Sequence, residues 1–307
     1  MLANFFNKTK PINVLSIISM LFVYYFISIF LNFSEELSFL FIIEKLGFFL
    51  LYVLIILTVD FIVKKNKLTH SNSYALLLFA LFIGSFPEIF NSSNLTISYM
   101  ILLFGFRKIY SLKSEKNIKK KLFDAGFWVA IASLIYFWSI IHLILVYIAI
   151  IIFKKLTFKN IMVPIIGAIT PLFLYFAYND FINKSDMFFD GFNTEINFDF
   201  SVYNTLQLSI PIVLLAIVLL WSLVVVTPKV AMVNNKLKSS WLLVLMHLVV
   251  ALVVVQLAPI KNGSELFFLF FPGAIIIANF VQKEMSPILQ NLILIMFLLA
   301  SMSVYIL

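Results

Sequence analysis

Apolar residues run through this chain in long blocks, and charged and turn-forming residues collect between them. A bilayer core about 30 Å thick takes about 20 helical residues per crossing. Blocks of that order lie at residues 12–31, 46–63, 160–178, 208–226, 241–259 and 288–307, with a somewhat shorter one at 266–281. Each predicts a transmembrane helix. Two further blocks, 74–106 and 122–153, are much longer, and lysine or arginine flanks both ends of each: Lys64, Lys65 and Lys67, then Arg107 and Lys108, then Lys119 to Lys121, then Lys154 and Lys155. A single helix of about 32 residues would be about 48 Å long and would need a tilt of about 50°, outside the usual range. Each long block therefore reads as a short helix pair that re-emerges on its starting side. The first turns at Phe86-Pro87-Glu88 to Asn94, where proline and asparagine favour a break, and the second near Tyr136 to Ser139. The pattern predicts an all-α polytopic bundle of about 11 helices.

Charge orients it. With the N-terminus cytoplasmic, 19 of the 22 basic residues fall on the inner side, and only Lys45, Lys184 and Lys261 fall outside. Ten of the fourteen acids lie outside: Glu35, Glu36, Glu44, Glu88, Asp180, Asp186, Asp190, Glu195, Asp199 and Glu265. This is the positive-inside bias, and it accounts for the net charge of +8 without a nucleic-acid partner. With 63% hydrophobic and 12% charged residues, the composition excludes a water-soluble globule. The absence of cysteine excludes disulfides and thiolate metal sites. The block at 12–31 is too long for a cleaved signal and reads as an uncleaved anchor. Residues 1–307 read as a single integral membrane domain, with 180–207 as its one long outer, periplasmic loop.

The candidate chemistry is sparse. Glu35 and Glu36 follow the first block and Glu88 sits in the first re-entrant turn, so the three can serve as general base or divalent-cation ligands at the membrane surface. A solvated outer face that collects acids explains them equally. No cofactor is identified. His142 and His247 lie inside the slab, as acid, base or phosphate contact on one reading and as neutral interhelical hydrogen-bonding groups on the other. Asp60 and Asp124 stand close to lysine-rich ends and are expected to pair with Lys64 or Lys121. Pro164, Pro171, Pro211 and Pro272 mark places where a helix can be discontinuous. The run Lys116 to Lys121 is the densest basic patch, suited to anionic lipid heads or to topological anchoring.

A short third span ends in Gly84-Ser85-Phe86-Pro87-Glu88. It is followed by an outer turn through Asn91 to Asn94, a short fourth span and a basic inner loop, and Ala125-Gly126-Phe127-Trp128-Val129-Ala130 then opens a closely paired fifth and sixth span. This order resembles the GT-C class of integral membrane glycosyltransferases. The resemblance implies an enzyme acting on a polyprenyl-phosphate-linked sugar at the outer membrane surface. Glu35 or Glu36 and Glu88 would then stand in the catalytic positions, with Asn94 and His142 as substrate contacts. The whole chain also resembles uncharacterised polytopic inner-membrane families of bacteria, which implies a multi-pass protein of the bacterial inner membrane in contact with membrane lipid. Two other readings stay open: a non-catalytic subunit with a protein partner in an envelope-assembly or secretion complex, and a small-solute or lipid transporter using Asp60, Asp124 and His247.

Overall fold

The structure is a computed structural model that describes residues 2–31, 38–184, 192–231 and 235–307. Every regular element among the described residues is a helix. In chain order these are α1 (Leu2–Phe6), α2 (Pro11–Leu31), α3 (Phe39–Asn66), α4 (Tyr74–Gly84), α5 (Glu88–Asn91) and α6 (Ser93–Tyr110). There follow α7 (Ile118–Ile135), α8 (His142–Ile152), α9 (Phe158–Phe181), α10 (Leu206–Ala231), α11 (Asn235–Leu257), α12 (Phe267–Glu284) and α13 (Pro287–Ser303). Seven of the described helices, α2, α3, α6, α9, α10, α11 and α12, are long and apolar enough to cross a membrane. The chain is an integral, multi-pass membrane protein. Both overlong blocks are broken where their turn residues stand: the first by α5, the second by a 3-10 turn at Phe137–Ile141.

By contact the chain forms two compact units, Met1–Ser93 with Asp199–Val233 and Asn262–Leu307, and Asn94–Phe198 with Asn234–Lys261. The first is built around α4, all eleven residues of which are buried. Helices α2, α3, α12 and α13 pack against it. Its aromatic face carries the contact: the Phe82 ring lies 5.6 Å from Phe270 and 5.2 Å from Phe297, and Phe79 lies 6.0 Å from Phe267. The helix stops at Gly84, where the backbone comes so close to α2 that an added methyl would sit 2.5 Å from the Tyr24 ring. The short α1 is pinned in the same unit, its Ala3 N–H donating to Asn291 Oδ1 at 2.9 Å and its Ala3 carbonyl accepting from the Tyr74 hydroxyl at 2.8 Å. Away from this core, large side chains such as Phe22, Leu220 and Leu299 are exposed, as expected of a lipid-facing surface.

The second unit joins α6, α7, α8, α9 and α11. Ser98 of α6 donates to the Ala132 carbonyl at 2.9 Å and shares a 2.8 Å hydrogen bond with Ser139, which ties α6 to the end of α7 and to the 3-10 turn. The closest approach is between α7 and α9. A methyl at Gly126 would stand 2.2 Å from the Pro164 carbonyl oxygen, and one at Gly167 would stand 2.3 Å from that of Phe123. Two facing glycines let the helix backbones touch, the small-residue packing that replaces the hydrophobic effect in lipid.

Three expectations are corrected. Gly126 pairs α7 mainly with α9, because a second glycine faces it there and not on α8. The helices run unbroken through Pro164, Pro171, Pro211 and Pro272, since one missing N–H per proline is absorbed inside a long packed helix. Asp124 pairs with Lys108 at 2.6 Å rather than with Lys121, whose ammonium donates to the Ser111 carbonyl and the Ser114 hydroxyl. Asp60 does pair with Lys64, at 2.5 Å. Helix α3 begins at Phe39, seven residues before the apolar block, because Ser38 caps it by accepting from Phe41 N at 3.1 Å.

The glycine contact yields a direct test. Gly126→Ala or Gly167→Ala should lower the thermal stability of the detergent-purified protein by about 1–3 kcal/mol, the usual cost of overpacking. Gly47→Ala, with nothing within 4 Å of the added methyl, should be neutral or stabilising. Equal melting temperatures for all three variants would contradict the close α7–α9 contact.

Candidate functional site

The first unit contains a backbone break inside its apolar core. Helix α4 ends at Gly84, and Ser85 closes it by donating its hydroxyl to the Leu81 carbonyl at 2.8 Å. Phe86 and Pro87 turn the chain into the single helical turn α5. The groups freed by the break find partners: Ile89 N–H donates to Phe86 O at 3.0 Å, Phe90 N–H to Pro87 O at 2.9 Å, and the Ser92 hydroxyl to Glu88 O at 2.8 Å. The Ile89 carbonyl accepts from the Tyr52 hydroxyl of α3 at 2.7 Å. Phe90 packs edge-on against Tyr52 at 5.1 Å and Tyr25 at 5.4 Å, so α5 is anchored to both α2 and α3.

Tyr52 also gives the depth of the break. In α3 the charged residues Glu44 and Lys45 at one end and Lys64 and Lys65 at the other bracket the apolar stretch. Lys45 to Lys64 spans about 28 Å of helix, close to one bilayer core. Tyr52 stands seven residues in from Lys45, so α5 is held about 10 Å inside that end.

Glu88, the first residue of α5, is half-buried there. Its Oε2 accepts only a long 3.5 Å hydrogen bond from the Asn91 side-chain amide, and it makes no ion pair among the described residues. Its carboxylate is open to a proton, a hydroxyl or a cation. A second acid nearby is already fully engaged. Glu265 lies in the 3-10 turn Ser264–Leu266, against which α5 packs, and is completely buried. Its Oε2 accepts from Gly263 N at 3.0 Å and Asn262 N at 3.3 Å, and its Oε1 accepts from the Tyr203 hydroxyl. Gly263 has a φ of +94°, and a methyl there would meet Leu208 at 2.9 Å and Phe86 at 3.1 Å. Glu265 therefore holds this turn against the Phe86 bend.

Of the other expected site residues, Asn94 is exposed in the first turn of α6, in the second unit. His142 opens α8 and is fully buried, with Nδ1 3.1 Å from the Ser139 carbonyl and its ring 5.2 Å from Phe106. The same unit brings His247 to 5.8 Å from His142, ring to ring, and Tyr110 joins His247 Nδ1 at 3.0 Å, an interhelical bond between α6 and α11. Glu35, Glu36, Asp186 and Asp190 lie outside the described residues. No group of three or more His, Asp or Glu side chains suited to a metal ion stands together among the described residues. In the 180–207 loop, Trp138 donates to the Glu195 carbonyl at 3.2 Å and Phe192 packs on Phe137 at 5.7 Å, so this segment rests on the turn before α8. Asp199 accepts from Ser201 N–H at 2.9 Å, which holds its carboxyl below the usual range.

The family pattern that fits covers every residue from 1 to 307. The chain belongs to the family of unknown function DUF6427. No curated protein and no solved structure matches it. The family carries no assigned activity. The sequence reading singles out neither Tyr52 nor Tyr203, and counts Glu265 only as one outer acid among ten. A tyrosine inside an apolar run must find a partner for its hydroxyl, and an Asn-Gly-Ser-Glu turn directly before Leu-Phe-Phe-Leu-Phe-Phe brings an acid to the edge of a buried helix.

Tyr203→Phe should destabilise the protein by about 1–3 kcal/mol, since a buried carboxylate loses a donor. Tyr178→Phe, at a tyrosine that is 61% exposed, should not. Thermal unfolding in detergent compares them, and an unshifted Tyr203→Phe would remove the Glu265 clamp.

Proposed function

We propose that the chain crosses a bacterial inner membrane eleven times with its N-terminus cytoplasmic, and that it acts as a GT-C-like glycosyltransferase on a lipid-linked sugar at the outer face. The observation that carries this reading is the α4–α5 break, which holds the half-buried, weakly engaged Glu88 carboxylate about 10 Å inside the Lys45 end of α3. Irregular backbone at membrane depth is tolerated where protein covers it or a cavity opens, and an ionisable group there marks a functional site by default. That depth suits a substrate whose phosphate lies at the headgroup level and whose chain stays in the lipid. In the reaction, Glu88 takes the proton of an acceptor hydroxyl as its oxygen bonds to the anomeric carbon, and the lipid phosphate leaves with the electrons of the broken bond. A divalent cation on the same carboxylate would neutralise the departing phosphate. Glu35 or Glu36 supplies the second carboxylate in this reading.

The transporter reading loses ground to the pairing of its carboxylates: Asp60 and Asp124 each hold a lysine within 2.6 Å. The test uses membranes from cells with and without the gene, measuring transfer of labelled sugar from endogenous lipid-linked donors. Glu88→Gln should reduce transfer by about a hundredfold or more, the usual range for a lost general base, at unchanged protein level and melting temperature. Asn91→Ala should keep most of the activity. Full transfer by Glu88→Gln, or none attributable to the gene, would overturn the proposal.

A further inference from the structure

The second unit carries a pocket that the proposed reaction does not use. It is an open concavity of about 630 Å³ where α7 and α9 begin, lined by residues 117–120, Thr157, Lys159 and Asn160. Its position follows from the glycine contact. Gly126 and Gly167 stand eight and nine residues from the first residues of their helices, so both helices start about 12–14 Å from the point where their backbones touch.

The lysines around it divide into two groups. Lys121 is turned inward onto Ser111 and Ser114, Lys155 pairs with Glu115 at 2.8 Å, and Lys108 pairs with Asp124. Lys119, Lys120 and Lys159 line the pocket instead, and none of them makes an ion pair among the described residues. Three lysines therefore border one open pocket, and none of them is paired with an acid among the described residues. Asn117, in the left-handed conformation at φ +51°, makes no side-chain cap, so the first-turn N–H groups of α7 remain free of side-chain capping at the same place. Beside the pocket, Leu156 is 63% and Phe158 76% exposed, an apolar flank next to the cationic one.

We infer that this pocket binds a phosphate group, held by Lys119, Lys120 and Lys159, and that the phosphate is the headgroup of an anionic membrane lipid whose acyl chains lie along Leu156 and Phe158. Lysines that served only to orient the chain would need charge but no cavity. The site is separate from Glu88 and stands whether or not the transferase reading holds.

The full-length protein in mild detergent is titrated with phosphatidylglycerol, phosphatidylcholine and inorganic phosphate, and bound ligand is counted by native mass spectrometry. One phosphatidylglycerol should bind in preference to phosphatidylcholine. The triple variant Lys119→Gln, Lys120→Gln, Lys159→Gln should weaken it at least about tenfold. The charge-matched variant Lys8→Gln, Lys10→Gln, Lys65→Gln should bind as the parent does. Each single pocket variant, which leaves two lysines in place, should fall between the two. Equal binding by both triple variants, or by both lipids, would overturn the site. Displacement of phosphatidylglycerol by millimolar inorganic phosphate alone would overturn the lipid assignment.

Discussion

In hydrocarbon every backbone N–H and C=O must be paired within the protein, and the arrangement of the first unit follows from that constraint. Helix α4 has eleven residues, about 16 Å of length, which is half of what a crossing needs. Its end would leave carbonyls stranded at membrane depth. The chain meets this with a completely buried α4, a serine that bonds back to the last turn, and a tyrosine from α3 on the Ile89 carbonyl. Helix α12, with 94% of its apolar window enclosed, exists in this unit as the wall that covers the break.

The acids show what burial does to chemistry. Glu265 is enclosed and its oxygens receive three donors, so they are spent on fixing the turn against Phe86. Asp60 and Asp124 are each matched by a lysine. Glu88 has one long contact and partial exposure, which leaves it available. The distinction lies in hydrogen-bond supply rather than in residue type. Lys261 is a parallel case: it is buried at the end of α11, donates to the Val255 and Gln256 carbonyls, and desolvation pulls its pKa below the ordinary lysine value.

Much of the helical architecture was legible because hydropathy and helix length act locally. The two breaks at 85–92 and 136–141 were readable from a length that no single helix could accommodate. What stayed hidden was set by neighbours distant in sequence. That Gly126 would face Gly167, that Asp124 would choose Lys108, and that Tyr52 would reach Ile89 depend on which helix faces lie together. At Pro164, Pro171, Pro211 and Pro272 the sequence left a broken and an unbroken helix open, and packing in long helices decides for the unbroken one. The candidate site was partly visible: Glu88 stood out as an acid in a turn, whereas its depth came only from the Tyr52 contact.

The proposed reaction requires that α5 open to the outer face while the basic start of α7 faces the cytoplasm. Because the chain has no cysteine, one can be introduced without removing others. Asn91→Cys, at an exposed residue of α5, and Lys116→Cys, in the exposed segment before α7, are treated in spheroplasts with a membrane-impermeant maleimide. The account predicts labelling of Asn91→Cys in intact spheroplasts and of Lys116→Cys only after permeabilisation. Labelling of Asn91→Cys only after permeabilisation, or of both positions without it, would contradict the orientation and the outward-facing break.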